Sequence, residues 1–420
     1  MAKFFLSHSA GEGSTAQSLL EALVTTLGQE GHDPFEAARI HAGERWRGRI
    51  YDELAICDAA VVLMDRAALT SWWVHREVSN LLWRKHLGSV EIRVVLLDGV
   101  TPGDIRAHRY GELVELQFLG ATDCAPAEVA AKVVASFGAM PDEPDDNMRT
   151  WIEDVTSQLG AAPVGLALRS FARHVGLERS EAKGLSAPGC YRFLAHQLLG
   201  RPRPDDTFLA VDSVRYAIGP DRTAQLAELS APALVDGVAA HVLLRPYASG
   251  PRIYLLNARS TATAALYVSR AACCARTHRI AGVSARTGEE GVAELEQRCE
   301  AALARMLHLN PSRYRGQRLY EAISRIEPGP GGMVEACYLA IDLAECPPGP
   351  VTEVISRLHA RIPWLIVIIL STSPGKVTAA LDGEEPVLLE PTLSEGEEEA
   401  MDRVVQAFQE LGGRVGVHDG

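Results

Sequence analysis

The chain has 420 residues, of which 47% are hydrophobic and 23% are charged, a composition typical of a globular protein with several domains. Its formal net charge of −13 argues against non-specific nucleic-acid binding, so nucleic acid is not indicated as a partner. The most apolar run, residues 362–370, is too short for a membrane span, and the first residues lack the apolar core of a signal peptide. We therefore expect a cytoplasmic protein without a membrane partner. No His, Cys, Asp and Glu cluster has the spacing of a metal site, so we also expect reduced cysteines and no metal.

Residues 1–138 alternate short apolar runs with helical patterns. The apolar runs predict strands at 3–8, 33–37, 59–65 and 92–99. The helical patterns predict helices at 14–31, 46–57, 71–85 and 125–138. Short apolar strands that alternate with helices are typical of a parallel sheet covered on both faces. An acidic, proline-containing linker at 139–147 is expected to follow this α/β domain.

The remaining chain is predicted to hold two further parts. Residues 148–200 have helical patterns throughout, which predicts a small helical module that could act as an adaptor surface. After a proline-rich break, residues 206–420 are expected to return directly to strand and helix alternation as a second α/β domain. Its strands are predicted at 241–247, 252–258, 279–285, 336–345 and 363–373, and two of its helices at 261–276 and 289–308.

The order of motifs in residues 1–138 resembles a TIR domain. "FFLSHSAGE" is similar to the first strand and turn of that family. A second strand then ends at Phe35, and a loop with "AGERW" leads into a helix, Cys57, Asp58, an apolar strand and Glu77. No single piece is diagnostic, but the ordered set is. The resemblance implies a flavodoxin-like parallel sheet.

The TIR family divides into adaptors, which bind other TIR domains, and enzymes, which cleave the nicotinamide–ribose bond of NAD+. The enzymes use a glutamate in a W-x-x-x-E arrangement, which is Trp73 and Glu77 in this chain. The resemblance therefore implies that Glu77 is catalytic and that NAD+ is a substrate, with no cofactor required. One carboxylate suits the reaction, because the leaving nicotinamide is already positively charged and needs no general acid.

The same resemblance supplies candidates for substrate binding. Ser7 and His8 follow the first strand and are candidates to hold ribose or phosphate, while Phe35 and Trp73 are candidates to contact nicotinamide. Each has a simpler interpretation. Phe35 and Trp73 could be core residues, His8 a strand-end residue, and Glu77 a solvated charge on a helix surface.

Self-association is the second property that the resemblance implies. TIR active sites are often completed by a neighbouring protomer, and relatives contact one another through the loop that corresponds to residues 37–46. Arg45 and Trp46 at the end of this loop are therefore candidates for assembly into an oligomer or filament.

The C-terminal region resembles the core of STAND NTPases, but its phosphate-binding residues are missing. An apolar strand ends at Asp342, and another ends in Ser-Thr-Ser. The expected phosphate-binding loop, residues 258–266, contains neither glycine nor lysine. Lys376 belongs to another predicted strand–turn–helix segment, but the residue after it is Val377 and not the required Ser or Thr. We therefore expect either a degenerate STAND-like module without nucleotide hydrolysis or another α/β ligand-sensing domain.

The leading hypothesis is an NAD+ hydrolase that acts as an antiphage or immune effector and is activated by assembly. Its product would be ADP-ribose or a cyclic isomer. The C-terminal region would respond to a trigger molecule or partner that the sequence does not identify. Two alternatives stay open: a non-catalytic TIR adaptor, and a TIR effector gated by a second messenger of the cyclic-nucleotide type.

Overall fold

The structure is a computed structural model that divides the chain into two compact units, residues 1–200 and 201–420. It describes residues 2–9, 14–36, 46–86, 90–108, 110, 113–114, 116, 118–120, 124–137, 146–177, 182, 190–200, 203–243, 252–274, 278–285, 291–324, 336–343, 348–378, 386–390 and 392–411.

The first unit is built on a parallel sheet with the strand order β2-β1-β3-β4-β5. The strands are β1 (Lys3–Ser7), β2 (Asp33–Phe35), β3 (Ala59–Met64), β4 (Glu91–Leu96) and β5 (Phe118–Gly120). Phe5 of β1 lies opposite both Phe35 of β2 and Ala60 of β3. This order is that of flavodoxin-like folds, so the predicted N-terminal fold class is confirmed.

Helices cover this sheet because their apolar positions recur at helical spacing. They are α1 (Thr15–Gln29), α2 (Trp46–Ile56), α3 (Arg66–Thr70), α4 (Trp72–His86), α5 (Pro102–Ala107) and α6 (Pro126–Ala135). On one face, Leu20 and Leu23 of α1 and Val133 of α6 pack against Leu63 of β3. The predicted end of α1 is confirmed, since Gly31 follows it with a φ of 79°, a conformation that favours glycine.

Three further helices belong to the same compact unit as the sheet. They are α7 (Asp146–Leu159), α8 (Leu166–His174) and α9 (Cys190–Gly200). Helix α9 packs against α7 and also against α2 and α4. The predicted helical character of this segment is confirmed, whereas its separation from the sheet as an independent module stays a prediction.

The second unit begins with helices, so the prediction of direct strand and helix alternation from residue 206 is wrong. Its first elements are α10 (Pro204–Ile218), α11 (Pro220–Ser230), a 3-10 turn (Ala231–Leu234) and α12 (Gly237–His241). The predicted strand at 241–247 is also wrong where the structure describes it. Asp236 caps α12 by accepting a 2.9 Å bond from the Ala239 N–H, and the apolar residues that follow continue its buried turn. A short apolar run does not distinguish a strand from a buried helix end.

A second parallel sheet follows, with the order β10-β6-β9-β8-β7. Its strands are β6 (Ile253–Leu256), β7 (His278–Ser284), β8 (Ala336–Asp342), β9 (Ile366–Leu370) and β10 (Val387–Leu388). The helices around it are α13 (Thr261–Ala271), α14 (Val292–Met306), α15 (Gln317–Ser324), α16 (Pro348–Arg361), α17 (Pro374–Thr378) and α18 (Glu395–Leu411). The predicted C-terminal α/β class is confirmed. Within the described ranges, no helix combines the length and the apolarity that crossing a membrane requires.

Candidate active site

The site lies at the carboxyl ends of β1 and β3, neighbouring strands whose following connections leave in opposite directions. In open parallel sheets, ligands bind in the crevice that forms at such a point. The residues at this edge are Ser7, the last residue of β1, Ser9 just after it, and Asp65 just after β3, and each of these side chains is buried. Polar side chains are rarely buried unless they are hydrogen-bonded, so their partners identify the organisation of this edge.

Glu77 of α4 is joined to this edge by a short hydrogen bond. The Ser7 hydroxyl donates to Oε2 of Glu77 over 2.5 Å, and the two residues are 0% and 4% exposed. Burial raises the pKa of Glu77 to about 7, although the hydrogen bond from Ser7 and the nearby Trp73 indole partly oppose that rise. The site therefore contains a carboxyl group that titrates near neutral pH.

The sequence of α4 explains why this glutamate points inward. Val74, Val78 and Leu81 are buried at the spacing of one helix face, and Glu77 lies on that face between them. Trp73 precedes Glu77 by four residues, which places the two side chains one turn apart on the helix. The interpretation of Glu77 as a solvated surface charge is therefore wrong.

Asp65 forms a second polar pair beside the first. The Ser9 hydroxyl lies 2.8 Å from each carboxylate oxygen of Asp65. The same carboxylate accepts a 2.6 Å bond from the Ala68 N–H and thereby caps α3. Asp65 was not among the predicted site residues, and its carboxylate fixes the start of α3 next to the helix of Glu77.

Residues 4–124 match the family model described as TIR domain. The N-terminal part of the chain is a TIR domain. No curated protein matches the chain. The matched range contains both strands of the crevice and the Ser7–Glu77 pair. TIR domains include signalling modules and NAD-cleaving enzymes, and the buried pair is the feature of this TIR domain that bears on that choice.

Two other residues predicted to contact substrate, Phe35 and His8, have contacts of their own in the TIR domain. Phe35, 8% exposed, stacks on Phe5 with ring centroids 5.7 Å apart, and the Arg49 guanidinium lies 5.9 Å from the Phe35 ring. The His8 ring nitrogen Nδ1 lies 3.4 Å from the Leu6 carbonyl oxygen. Phe35 is thus part of the core at the end of β2, and substrate contacts of Phe35 and His8 stay predictions.

The structure does not describe the side chains of the two residues predicted for assembly, Arg45 and Trp46. Arg45 and most of the loop 37–46 lie outside the described residues, and Trp46 begins α2 with a side chain that is also outside them.

Cys57, at the end of the predicted helix 46–57, is a buried residue with defined contacts. Arg84 donates to its carbonyl oxygen over 2.6 Å and lies 3.0 Å from its sulfur, and burial raises the pKa of the thiol. Cys57 is therefore a buried structural residue of the TIR domain.

The corresponding edge of the second sheet already holds an internal carboxylate. Glu398, in the first turn of α18 and 6% exposed, accepts a 2.8 Å bond from the Arg259 N–H and a 3.0 Å bond from the Thr263 hydroxyl. These groups lie where β6 leads into α13. Main-chain N–H groups at a helix N-terminus commonly bind phosphate. The Glu398 carboxylate is therefore bound where a phosphate would bind in a phosphate-binding loop. Glu398 was not among the predicted site residues, because nothing in the local sequence distinguishes it from the acidic residues around it.

Proposed function

We propose that the TIR domain cleaves the bond between nicotinamide and ribose in NAD+, with Glu77 as the catalytic carboxylate. The observation that carries this proposal is the buried Ser7–Glu77 pair at the sheet crevice. Burying a carboxyl group costs free energy, and a helix that served only as a signalling surface would have no use for one at this position. The pair therefore favours the enzyme over the adaptor alternative.

The chemistry follows from the charge of the substrate. When the glycosidic C–N bond breaks, its electron pair leaves with nicotinamide, which becomes neutral, and the ribose acquires oxocarbenium character. An ionised Glu77 near the ribose would stabilise that positive charge and hold the sugar hydroxyls. Water then adds to the anomeric carbon and releases a proton, giving ADP-ribose. Attack by a ring nitrogen of the adenine would instead give a cyclic isomer.

Ser7 and Trp73 would act on Glu77 in the proposed reaction. Ser7 donates a hydrogen bond that favours the ionised carboxylate and fixes its direction, and the nearby Trp73 indole also favours the ionised form. Trp73 is partly exposed, so one part of its ring can line the crevice while another packs. Contacts of His8 and Phe35 with the substrate remain part of the proposal.

Activation by assembly would explain how substrate reaches a buried residue. Glu77 is only 4% exposed, so contact between its carboxylate and a ribose requires a rearrangement around it. We propose that self-association into an oligomer or filament, with Arg45 and Trp46 at the contact, produces that rearrangement. The protein would then act as an immune effector of the antiphage type whose activity depends on a trigger.

The C-terminal unit is proposed to regulate this assembly without hydrolysing nucleotide. The loop after β6 lacks the glycine and lysine of a phosphate-binding loop, and Glu398 occupies its anion position. A degenerate STAND-like module and a sensor for a cyclic-nucleotide-type messenger both remain compatible with this arrangement.

The deciding experiment is direct. Concentrated protein is incubated with NAD+, alone and under artificial clustering, and free nicotinamide is measured by chromatography. Release by the wild type and loss in Glu77→Gln support the proposal. Wild-type protein that releases no nicotinamide in any assembled state contradicts it.

A further inference from the structure

Arg76 precedes Glu77 on α4 and forms a cluster with aromatic side chains from three helices. Its guanidinium carbon lies 4.1 Å from the ring centroid of Trp72 and 4.2 Å from that of Phe193. Its Nη1 donates a 3.2 Å hydrogen bond to the hydroxyl of Tyr51. A cation that lies against two aromatic faces and is partly desolvated gains from both of them.

The cluster continues through α2 to the glutamate. Phe193 of α9 stacks on Tyr51 of α2 with centroids 4.8 Å apart and an interplanar angle of 22°. Tyr51 in turn lies 6.0 Å from the ring of Trp73, which is one helix turn before Glu77 on α4. Phe193 and Tyr51 are 3% and 4% exposed. A continuous, closely packed path therefore connects α9 with the side chains around Glu77.

Further along α9, His196 lies near the buried Arg84 of α4. His196 lies one turn after Phe193 and is 2% exposed, and burial, together with the charges of Arg84 and Arg192, lowers its pKa to about 3. Arg84 belongs to α4 and donates to the carbonyl oxygens of Leu54 and Cys57, where α2 ends, over 2.9 and 2.6 Å. A neutral histidine is suited to pack beside this buried arginine, because it adds no second positive charge.

We propose that α9 is a positioning element of the TIR active site, with Phe193 and Arg76 as positioning residues that keep the Glu77 carboxylate at Ser7. Ser7 of the sheet holds the Glu77 carboxylate, and α9 packs against the neighbouring Arg76 of the same helix. Displacement of a catalytic group by about 1 Å can reduce a rate by about 10²-fold. The helices after residue 145 are then part of the catalytic unit and are not a separable adaptor.

The test compares two substitutions that remove similar aromatic volume. Phe193→Leu breaks the contacts with Arg76 and Tyr51, while Phe171→Leu alters a fully buried phenylalanine of α8 in the same helical segment. The proposal rests on the proposed function, so NAD+ cleavage is measured first. We expect Phe193→Leu to lower kcat by about 10- to 100-fold with little change in KM. Phe193→Tyr, which keeps the aromatic ring, should retain most of the wild-type kcat. Phe171→Leu should lower the melting temperature and leave kcat near the wild-type value.

A second readout does not depend on catalysis. Glu77 faces Ser7 of β1 and Trp73 of its own helix, and its titration appears as a pH-dependent difference in stability between the wild type and Glu77→Gln. In the Phe193→Leu background the midpoint of the Glu77 titration in the folded state, which sets the upper pH limit of that difference, should move from about 7 toward 4.5, since a displaced carboxyl group is better hydrated. The size of the pH-dependent difference should shrink with it. Arg76→Lys, which keeps the charge but loses the planar stacking, should move the midpoint in the same direction and serves if Phe193→Leu does not fold.

The outcomes separate the two proposals. If wild-type protein does not cleave NAD+ but the midpoint moves, the proposed function fails and the positioning role stands. If Phe193→Leu and Arg76→Lys lower the melting temperature yet leave both kcat and the midpoint unchanged, α9 has only a structural role and the inference is overturned.

Discussion

The hydroxyl of Ser7 donates a 2.5 Å hydrogen bond to the carboxylate of Glu77, although the two residues are 70 positions apart in the chain. The bond links the end of a central strand to a helix, and both partners are shielded from water. Because the bond is buried, it influences both the charge and the direction of the carboxylate. Each property can be measured.

Glu77→Gln is expected to reduce NAD+ cleavage by at least about 10²- to 10³-fold, the usual effect of removing a charge-stabilising group from a preorganised site. The amide keeps an oxygen that can accept from Ser7, so the fold should persist. Nicotinamide release is measured beside Glu21→Gln, an exposed glutamate of α1, as the control. Full activity of Glu77→Gln would exclude Glu77 from the mechanism.

The same variant should be more stable than the wild type at high pH. Because the pKa of Glu77 is raised from 4.5 to about 7 on folding, its contribution to stability is fully present below pH 4.5 and is lost as the pH rises through 7. A shift of this size corresponds to about 3 kcal/mol. The stability of Glu77→Gln relative to the wild type should therefore increase by about that amount between pH 4 and pH 8.

Urea unfolding at several pH values measures this difference. His196 has the opposite linkage, since its depressed pKa contributes stability that is lost as the pH falls from 6.5 toward 3, but both proteins contain it and its effect cancels. If the difference in the free energy of unfolding between the two proteins does not change with pH, Glu77 is not a buried group with a raised pKa.

Ser7→Ala should shift the pH dependence of activity upward. The Ser7 bond lowers the pKa of Glu77, so its removal favours the protonated acid, and the ionised form would appear only at higher pH. We expect kcat/KM to rise with an apparent pKa near 7 in the wild type and above 7 in Ser7→Ala. Ser9→Ala, which loses the bond to Asp65 and not the one to Glu77, is the matched control and should keep the wild-type midpoint.

ATP should not bind tightly to the second unit. Glu398 already accepts from the Arg259 N–H and the Thr263 hydroxyl, and the loop offers no lysine for phosphate. Calorimetry with Mg-ATP should show no binding in the micromolar range, and micromolar affinity would restore a nucleotide switch. Glu398→Ala should destabilise the protein by about 1.5–3 kcal/mol, as expected for buried bonds to a charged group, while the exposed Glu399→Ala should have little effect.

Removal of residues 206–420 should leave a folded fragment, because residues 1–200 form one compact unit. Cleavage by this fragment should require high concentration or artificial clustering if the C-terminal unit supplies regulation. A shorter fragment that ends at residue 138 keeps the whole sheet but exposes Tyr51 and Arg76, so its melting temperature should be lower. NAD+ cleavage by the longer fragment at the full-length rate without clustering would contradict a regulatory role for the second unit.

Local sequence patterns were enough to determine the two parallel α/β architectures. Runs such as β3 and β9 are entirely apolar, and the helices between them repeat apolar residues at helical spacing, so the alternation of the main strands and helices followed from hydrophobic periodicity. The short strand β5 was not predicted. Trp73 and Glu77 were recognisable through the resemblance to NAD-cleaving TIR domains, since the W-x-x-x-E spacing is local to one helix turn. The helical start of the second unit was also encoded, by Pro204 and Pro220 at the first turns of α10 and α11, but was not recognised.

Only the tertiary structure decided what surrounds those residues. Burial of Glu77, its bond to Ser7 and its raised pKa depend on how α4 packs on the ends of β1 and β3. The contact of Phe193 with Arg76 and the bond of Glu398 to Thr263 likewise join segments far apart in the chain. The loss of solvent around a charged group is a property of the packed fold and not of the neighbouring sequence, and no periodicity reports it.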